Sequence, residues 1–317
     1  MSVPNTMRAV VLTGHGGLDQ LVYHEDWPTP TPKKNEVLIK VAACGLNNTD
    51  INTRSGWYSK TVSEATTGDA YQTIDKNDPT WGGAPISFPR IQGADVCGTV
   101  VTAGNDADQS LIGKRVITDN WLRNWADPSN KNGTGYFGSE CNGGYAEYTT
   151  IDYRNVGAVN SKLSDAELAT FSCSYSTAEG MLARANVAKG DSVLITGASG
   201  GVGSALIQLA NRRGAFVIGL AAKQKHAALE KLGADALLER NPTNIKRALQ
   251  RVNTHDTVSV VADVVGGPNF NALIDCLKRG GRYTCSGAIA GPIVDLDLRT
   301  LYPVSYTHLT LPTICSV

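Results

Sequence analysis

Residues 192–210 read SVLITGASGGVGSALIQLA, and the fold is decided there. The run SVLIT is short, apolar and partly β-branched, which suits a buried strand. Gly197, Gly200, Gly201 and Gly203 follow at once. Then Val202, Ala205, Leu206, Leu209 and Ala210 recur at helical spacing, so one face of the next segment is apolar. Strand, glycine turn and helix in this order, with G-x-x-G-x-x-G spacing, form a variant of the dinucleotide-phosphate fingerprint. Gly197 makes the turn, Gly200 and Gly201 let backbone N–H groups approach a pyrophosphate, and Gly203 lets the helix lie close to the strand. With Ala198, Ser199 and Val202 they form a candidate phosphate cradle, because a helix N-terminus offers unpaired donors and positive potential. The alternative is a strand–helix turn that holds nothing.

Downstream, strands and helices alternate. AFVIGL (215–220) leads to a helix ending at Leu232-Gly233, and ALLE (236–239) to one over Ile245 to Val252. VSVVAD (258–263) leads to a helix with Phe270, Leu273, Ile274 and Leu277 on one face, stopped by Gly280, and RYTCSG (282–287) makes a fifth strand. That alternation predicts an α/β fold, a parallel sheet with helices on both faces. Upstream, MRAVVLTG (7–14), EVLIKVAACG (36–45), DVCGTVV (95–101), KRVITD (114–119) and YAEYTTI (145–151) read as strands. Two polar stretches, 51–92 and 126–144, read as long loops, and long loops in compact domains are usually functional. Residues 164–182 read as helical, with Ser164 and Glu167 as a capping box.

The whole chain bounds the choice further. Its 317 residues predict about two domains. The 42% hydrophobic and 18% charged content suits a globular protein. With 29 basic against 29 acidic residues there is no field to attract nucleic acid or an anionic bilayer. No apolar run approaches the ~18 residues of a membrane span, and the opening MSVPNTMRAV has no signal-peptide core. Seven cysteines without a C-x-x-C fit neither a zinc knuckle nor a disulfide framework. Reduced thiols and a cytoplasmic location are expected.

The end of the second Rossmann-type strand bears on the cofactor. A site preferring NAD places an acid there for the ribose 2′-hydroxyl. Here the residues are Leu220-Ala-Ala-Lys223-Gln-Lys225-His226, with no acid and two lysines opening a helix. A 2′-phosphate compensates that charge, which favours NADP(H), with Lys225 first and Lys223 second; two solvated lysines on an exposed turn are the other reading.

GLNNTDIN (45–52), QGADVCG (92–98) and the glycine turn together resemble the medium-chain dehydrogenase/reductases, and within them the quinone oxidoreductase branch, over residues 7 to about 302. The resemblance implies a GroES-like β-rich catalytic domain over 1–160 and a doubly wound Rossmann NADP(H)-binding domain over 161–302, with the cofactor in the cleft between them. Residues 303–317, PVSYTHLTLPTICSV, depart from the family pattern and look like a non-native tail on a truncated chain, so His308 and Cys315 carry no weight. The sixth strand, often the family's dimer edge, would then be absent. A homodimer is expected of the full-length product and is doubtful for this chain.

The zinc enzymes of the family carry a catalytic cysteine where this chain has Asn47 and a histidine where it has Ala94, while the third ligand position keeps Cys173. A catalytic zinc takes three protein ligands and an open position, so no metal is expected, even with Asp95 as a second ligand. Cys173 then reads as a buried small hydrophobe. Without a Lewis acid, alcohol oxidation lacks its usual driver, whereas reducing a quinone or an α,β-unsaturated carbonyl needs mainly positioning and a few donors. The resemblance places Asn47, Asp50 and Tyr58 beside nicotinamide and substrate, as amide donor, orienting carboxylate and hydroxyl donor with a stacking ring. An Asx-turn for Asn47 and Asp50, and a surface aromatic for Tyr58, are the alternatives. Thr177 and Gly287, Ala288 and Ile289 match positions at the nicotinamide end, and Asp263 matches one just below the cofactor, read as structural. Trp57, Trp81, Trp121, Trp125 and Tyr136 could equally enclose an aromatic substrate or cover a hydrophobic edge. The expected function is an NADPH-dependent reductase of a small quinone or carbonyl substrate. Alcohol or aldehyde dehydrogenase activity, or NADPH binding with little turnover, are the alternatives.

Overall fold

The computed structural model describes residues 3–67, 69, 74, 77–78, 85–127, 129 and 134–300. Trp81 and the tail 303–317 lie outside them. The chain forms two compact units: one of the residues up to Val62 with Thr67–Cys173, the other of Ser63–Thr66 with the chain from Ser174 onward.

In the first unit, β1 (Thr6–Leu12) and β2 (Leu21–Pro28) make an antiparallel ribbon. β3 (Glu36–Gly45) leads into the helix α1 (Asn48–Ser55), and then follow β4 (Asp95–Ala103), β5 (Arg115–Thr118), β6 (Trp121–Leu122), β7 (Gly135–Tyr136), β8 (Tyr148–Asp152) and β9 (Val156–Ala158). Five of these form a sheet in the order β8-β3-β4-β5-β9, each pair antiparallel. Val37, Ile39, Val96, Val100, Val116, Phe137 and Ile151 fill its core. The helix α2 (Asp165–Leu168) starts on the Ser164–Glu167 capping box, and α3 (Ser172–Arg184) follows after a break, so the stretch read as one helix is two. Leu168 and Ala169 pack on Cys97, and Cys173 on Ala94 and Tyr136. Residues 161–173, assigned by sequence to the second domain, therefore pack with the first unit.

Two corrections concern the loops. The stretch 51–92 opens inside α1, which the apolar period could not reveal because its buried residues are Asp50, Asn52, Thr53, Arg54 and Ser55. The stretch 126–144 contains β7, which pairs with β6 through Trp121–Tyr136 and Leu122–Gly135.

The second unit carries β10 (Ser192–Ile195), α4 (Gly201–Arg212), β11 (Phe216–Ala221), α5 (His226–Lys231), β12 (Ala236–Glu239), α6 (Ile245–Leu249), β13 (Val258–Asp263), α7 (Phe270–Asp275) and β14 (Leu277–Cys285). The sheet order is β12-β11-β10-β13-β14, all parallel. Side chains alternate across it. Val193, Ile195, Val217, Val260 and Ala262 pack with α3, α4 and Leu229 of α5 on one face, while Leu194, Ile218 and Val261 pack with α6 and α7 on the other. Both faces are buried, which is why these strands are apolar throughout. The chain leaves β10 toward β11 on one side and returns to β13 on the other, so the reversal of direction falls beside β10, where doubly wound sheets bind ligands.

The last helix is shorter than its apolar period suggests. α7 stops at Asp275, and Leu277 opens β14 instead. Val258 pairs with Leu277 and Val260 with Arg282, so the residues between bulge out, with Gly280 at φ +69°. The glycine relieves a strand bulge, not a helix end. No helix among the described residues is long and apolar enough to cross a membrane.

Candidate functional site

Every residue of the glycine turn lies at the carboxyl end of β10. Gly197 has φ +54°, and a Cβ there would stand 2.8 Å from Val264 Cγ2, so both backbone and space require glycine. A Cβ on Gly203 would meet Gly197 O at 2.3 Å and Ala198 Cα at 2.7 Å; this is the close helix–turn approach the spacing predicts. Gly201 faces Ser174 Oγ, 2.5 Å from where its Cβ would be. Gly200 differs. It caps α4 with φ −80°, and the nearest atom to its notional Cβ is Gly197 O at 3.4 Å. Among the described residues nothing demands a glycine there.

No side chain caps α4, and Ser199, Gly200 and Gly201 are exposed. An amide-rich, uncapped helix start with exposed glycines fits a diphosphate. Ala198 turns inward instead: it is fully buried, and its N–H donates to Leu220 O at 3.2 Å. It ties the turn to β11 rather than facing outward. Lys223 and Lys225 occupy a 3-10 turn directly after β11, both exposed and outside any ion pair among the described residues. Gly287, Ala288 and Ile289 follow β14; a Cβ on Gly287 would stand 2.6 Å from Val264 O, and Ile289 is 40% exposed. Thr177, half-buried, is one turn after Ser174 on α3. The predicted cofactor residues on β10, β11 and β14 thus converge on the carboxyl edge of one parallel sheet.

Asp263 closes β13 without any exposure. One oxygen accepts from Thr196 Oγ1 at 2.5 Å and from the N–H groups of Val265 and Gly266 at 2.9 and 3.1 Å; the other accepts from Tyr283 Oη at 2.7 Å. Burial, with the Asp263 charge behind it, pushes the Tyr283 hydroxyl far up, so it remains a donor. The carboxylate ties the ends of β10, β13 and β14 together.

In the first unit, Asn47 is the N-cap of α1. Its Oδ1 accepts from Thr49 N at 3.4 Å, and Asp50 Oδ2 accepts from Asn47 N at 2.9 Å, a capping box. Asp50 Oδ1 accepts from Gly93 N at 3.2 Å, so the carboxylate also holds the QGAD turn. Burial raises the Asp50 pKa despite these donors. Tyr58 lies just beyond Gly56, where α1 ends, and its hydroxyl donates to Thr49 Oγ1 at 3.5 Å. Burial pushes it up to about 12, leaving a protonated hydroxyl at neutral pH. The structure therefore brings Asn47, Asp50 and Tyr58 together around the first turn of α1. The N-x-x-D spacing in GLNNTDIN was the available signal for this cap.

Asp95 and Ser174 had no role in the sequence reading beyond Asp95 as a rejected ligand. Asp95 accepts from Asn47 Nδ2 at 3.3 Å and from Cys173 N at 2.5 Å. Burial lifts it to about 6, against the lowering by those two donors. The aromatic residues have partners of their own. Trp125 Nε1 donates to Asn155 Oδ1 at 3.0 Å with the Arg123 and Arg154 guanidinium groups near its ring. Tyr136 is buried edge-on to Trp121, and Trp57 is buried beside Tyr58.

The positions that the resemblance assigns to zinc ligands hold an amide, a methyl and a thiol at 47, 94 and 173, and Cys173 is packed against Ala94 and Tyr136. Among the described residues no group of three or more His, Cys, Asp or Glu is placed to hold a metal ion. These residues do not fit a catalytic zinc.

Residues 33–161 match the family described as Alcohol dehydrogenase GroES-like domain, and residues 201–314 the family described as Zinc-binding dehydrogenase. The second match extends to residue 314, into the stretch 303–317 expected from the sequence to be a non-native tail. A solved structure from Sinorhizobium meliloti 1021, named only provisionally as an alcohol dehydrogenase, is 46% identical, covers 95% of this chain and 80% of its own, and superposes with a TM-score of 0.82. The quinone oxidoreductase of Homo sapiens is 28% identical over 284 residues, 89% of this chain and 73% of its own length. The chloroplastic NADPH-dependent alkenal/one oxidoreductase of Arabidopsis thaliana is 28% identical over 296 residues, 92% of this chain and 65% of its own length.

Proposed function

The chain belongs to the medium-chain dehydrogenase/reductase superfamily, as an oxidoreductase using a nicotinamide cofactor, and from that premise we propose that it reduces quinones or α,β-unsaturated carbonyls with NADPH and without a metal. The observation that carries the reading is the donor set: an amide at 47 and a methyl at 94 stand where a catalytic zinc would need two further ligands beside the Cys173 thiol. The names of the human and Arabidopsis relatives support the same substrate classes.

Bound at the glycine turn, NADPH would supply the hydride. The N–H groups at the start of α4 would hold its diphosphate, and Lys223 and Lys225 would take the 2′-phosphate. As the acceptor carbon gained the hydride, negative charge would grow on the conjugated oxygen, and the Asn47 amide, together with the Tyr58 hydroxyl turned away from Thr49 Oγ1, would stabilise it as hydrogen-bond donors. The oxygen or α-carbon then takes a proton from water. Asp50 accepts no proton in this scheme; it holds the Asn47 N–H and the Gly93 turn in place.

Turnover of NADPH against a panel of quinones, enones and alcohols tests the proposal, with elemental analysis of the purified protein. Quinone or enone reduction in protein free of zinc is the expected result. Alcohol oxidation with stoichiometric zinc would instead favour the dehydrogenase reading that the Sinorhizobium relative suggests. Replacing both Lys223 and Lys225 by alanine should lower the NADPH-over-NADH preference about 100-fold, since charged hydrogen bonds contribute roughly 1.5 kcal/mol each. Competitive titration by nicotinamide fluorescence reads that ratio, and an unchanged ratio would remove the 2′-phosphate from those lysines.

A further inference from the structure

We propose that Asp95 is a positioning residue for this reduction: its carboxylate sets the Asn47 side-chain amide with the nitrogen, and not the oxygen, free to serve the acceptor. The inference rests on the role given to Asn47 above, and goes beyond it by saying what makes Asn47 a donor.

A primary amide is nearly symmetric in shape, and its two ends differ only in what they can bond. At Asn47 both ends are committed. Oδ1 takes the Thr49 N–H, and one Nδ2 hydrogen goes to Asp95 Oδ2. Turning the amide over would set Oδ1 against a carboxylate oxygen at about the same 3.3 Å and the NH2 group against a backbone N–H. Two acceptors would face each other, and two donors, each left without a partner. The surviving arrangement leaves Asn47 one unused Nδ2 hydrogen, so the group it offers is a donor.

Asp95 can impose this because it is itself fixed. It is 3% exposed, and its second oxygen is held by Cys173 N at the start of α3. The titratable groups acting on it are Asp50 from α1, Cys44 from β3, Tyr136 from β7, Cys173 from α3 and Tyr145, none of which is a cation. A carboxylate buried without a counter-charge is costly, and two N–H donors offset only part of that cost. An asparagine at 95 could accept from Cys173 N equally well, so anchoring α3 does not by itself call for the acid. Dictating the orientation of a neighbouring amide does, since a neutral amide at 95 would accommodate Asn47 either way round.

The test is a double-substitution cycle of Asp95→Asn with Asn47→Ser, serine being chosen because it keeps the N-cap. Asp95→Asn alone should lower kcat for an enone or quinone about 10-fold through misorientation, with the NADPH dissociation constant and the KM for NADPH unchanged. On the Asn47→Ser background the same change should cost less than about 2-fold, because residues acting as one unit are not additive. A second readout does not depend on turnover. The Asn47 side-chain NH2 pair in 15N-labelled, NADPH-loaded protein, assigned by its loss in Asn47→Ser, should show one strongly downfield proton that moves upfield in Asp95→Asn. Fully additive kinetic losses, a rise in kcat once the charge is removed, or an NH2 pair unaffected by Asp95→Asn would each overturn the proposal. Wild-type protein that reduces none of the panel, with the NH2 pair responding as expected, would sink the reductase reading while leaving the Asp95–Asn47 coupling established.

Discussion

Gly203→Ala should lower the thermal midpoint by about 10 °C and abolish binding of the nicotinamide cofactor. The added methyl would stand 2.3 Å from Gly197 O and 2.7 and 2.8 Å from Ala198 Cα and C, all backbone atoms that cannot rotate away. The helix must then move off the turn, an overpacking cost of about 3 kcal/mol, which corresponds to a shift on the order of 10 °C for a domain of this size. Gly200→Ala gives the contrast. At φ −80° with only Gly197 O at 3.4 Å, that methyl fits the chain, so the melting temperature should hold within a degree or two. NADPH affinity should nevertheless fall, since the methyl occupies the space through which backbone amides approach a phosphate. Melting by differential scanning fluorimetry and titration by cofactor fluorescence separate the two. If Gly200→Ala bound NADPH as tightly as the parent, the glycine turn would be a structural device and nothing more.

Asp263→Ala should destabilise the second unit by about 4 kcal/mol, through four donors left buried and unpaired at roughly 1 kcal/mol or more each. Thr196 Oγ1, Tyr283 Oη and the N–H groups of Val265 and Gly266 all lose their acceptor, around a side chain that is itself fully buried. Tyr283→Phe removes one donor from the same carboxylate and should cost about 1 kcal/mol. Chemical denaturation of the two variants gives the comparison; equal small losses in both would mean that water enters and satisfies the edge of the sheet.

The parallel unit was open to reading because its physics is periodic. Val193 and Ile195 face one layer of helices and Leu194 the other, so every strand is apolar and every helix striped. The glycines were legible for a related reason, since Gly197 and Gly203 each answer a geometric demand that no other residue meets. What escaped was held by polar contacts. α1 buries Asp50, Asn52, Thr53, Arg54 and Ser55, and no hydrophobic period marks such a helix. Asp95 entered the sequence reading only as a second metal ligand where three are needed; its actual partners, the Asn47 amide and the Cys173 N–H, come from sequence-distant elements and left no local signal. Leu277 obeyed the helical period but was taken by the neighbouring strand Val258, a tertiary preference that local pattern cannot weigh.

The cap at Asn47 also constrains how a lineage could pass between metal-dependent and metal-free chemistry. Exchanging Asn47 for cysteine would supply a thiolate, yet it would remove an N-cap worth about 1 kcal/mol and strip Asp95 of one of its two donors, before any ion had a third ligand at Ala94. The exchange at 47 is thus a loss on its own, and it gains nothing until position 94 also carries a ligand.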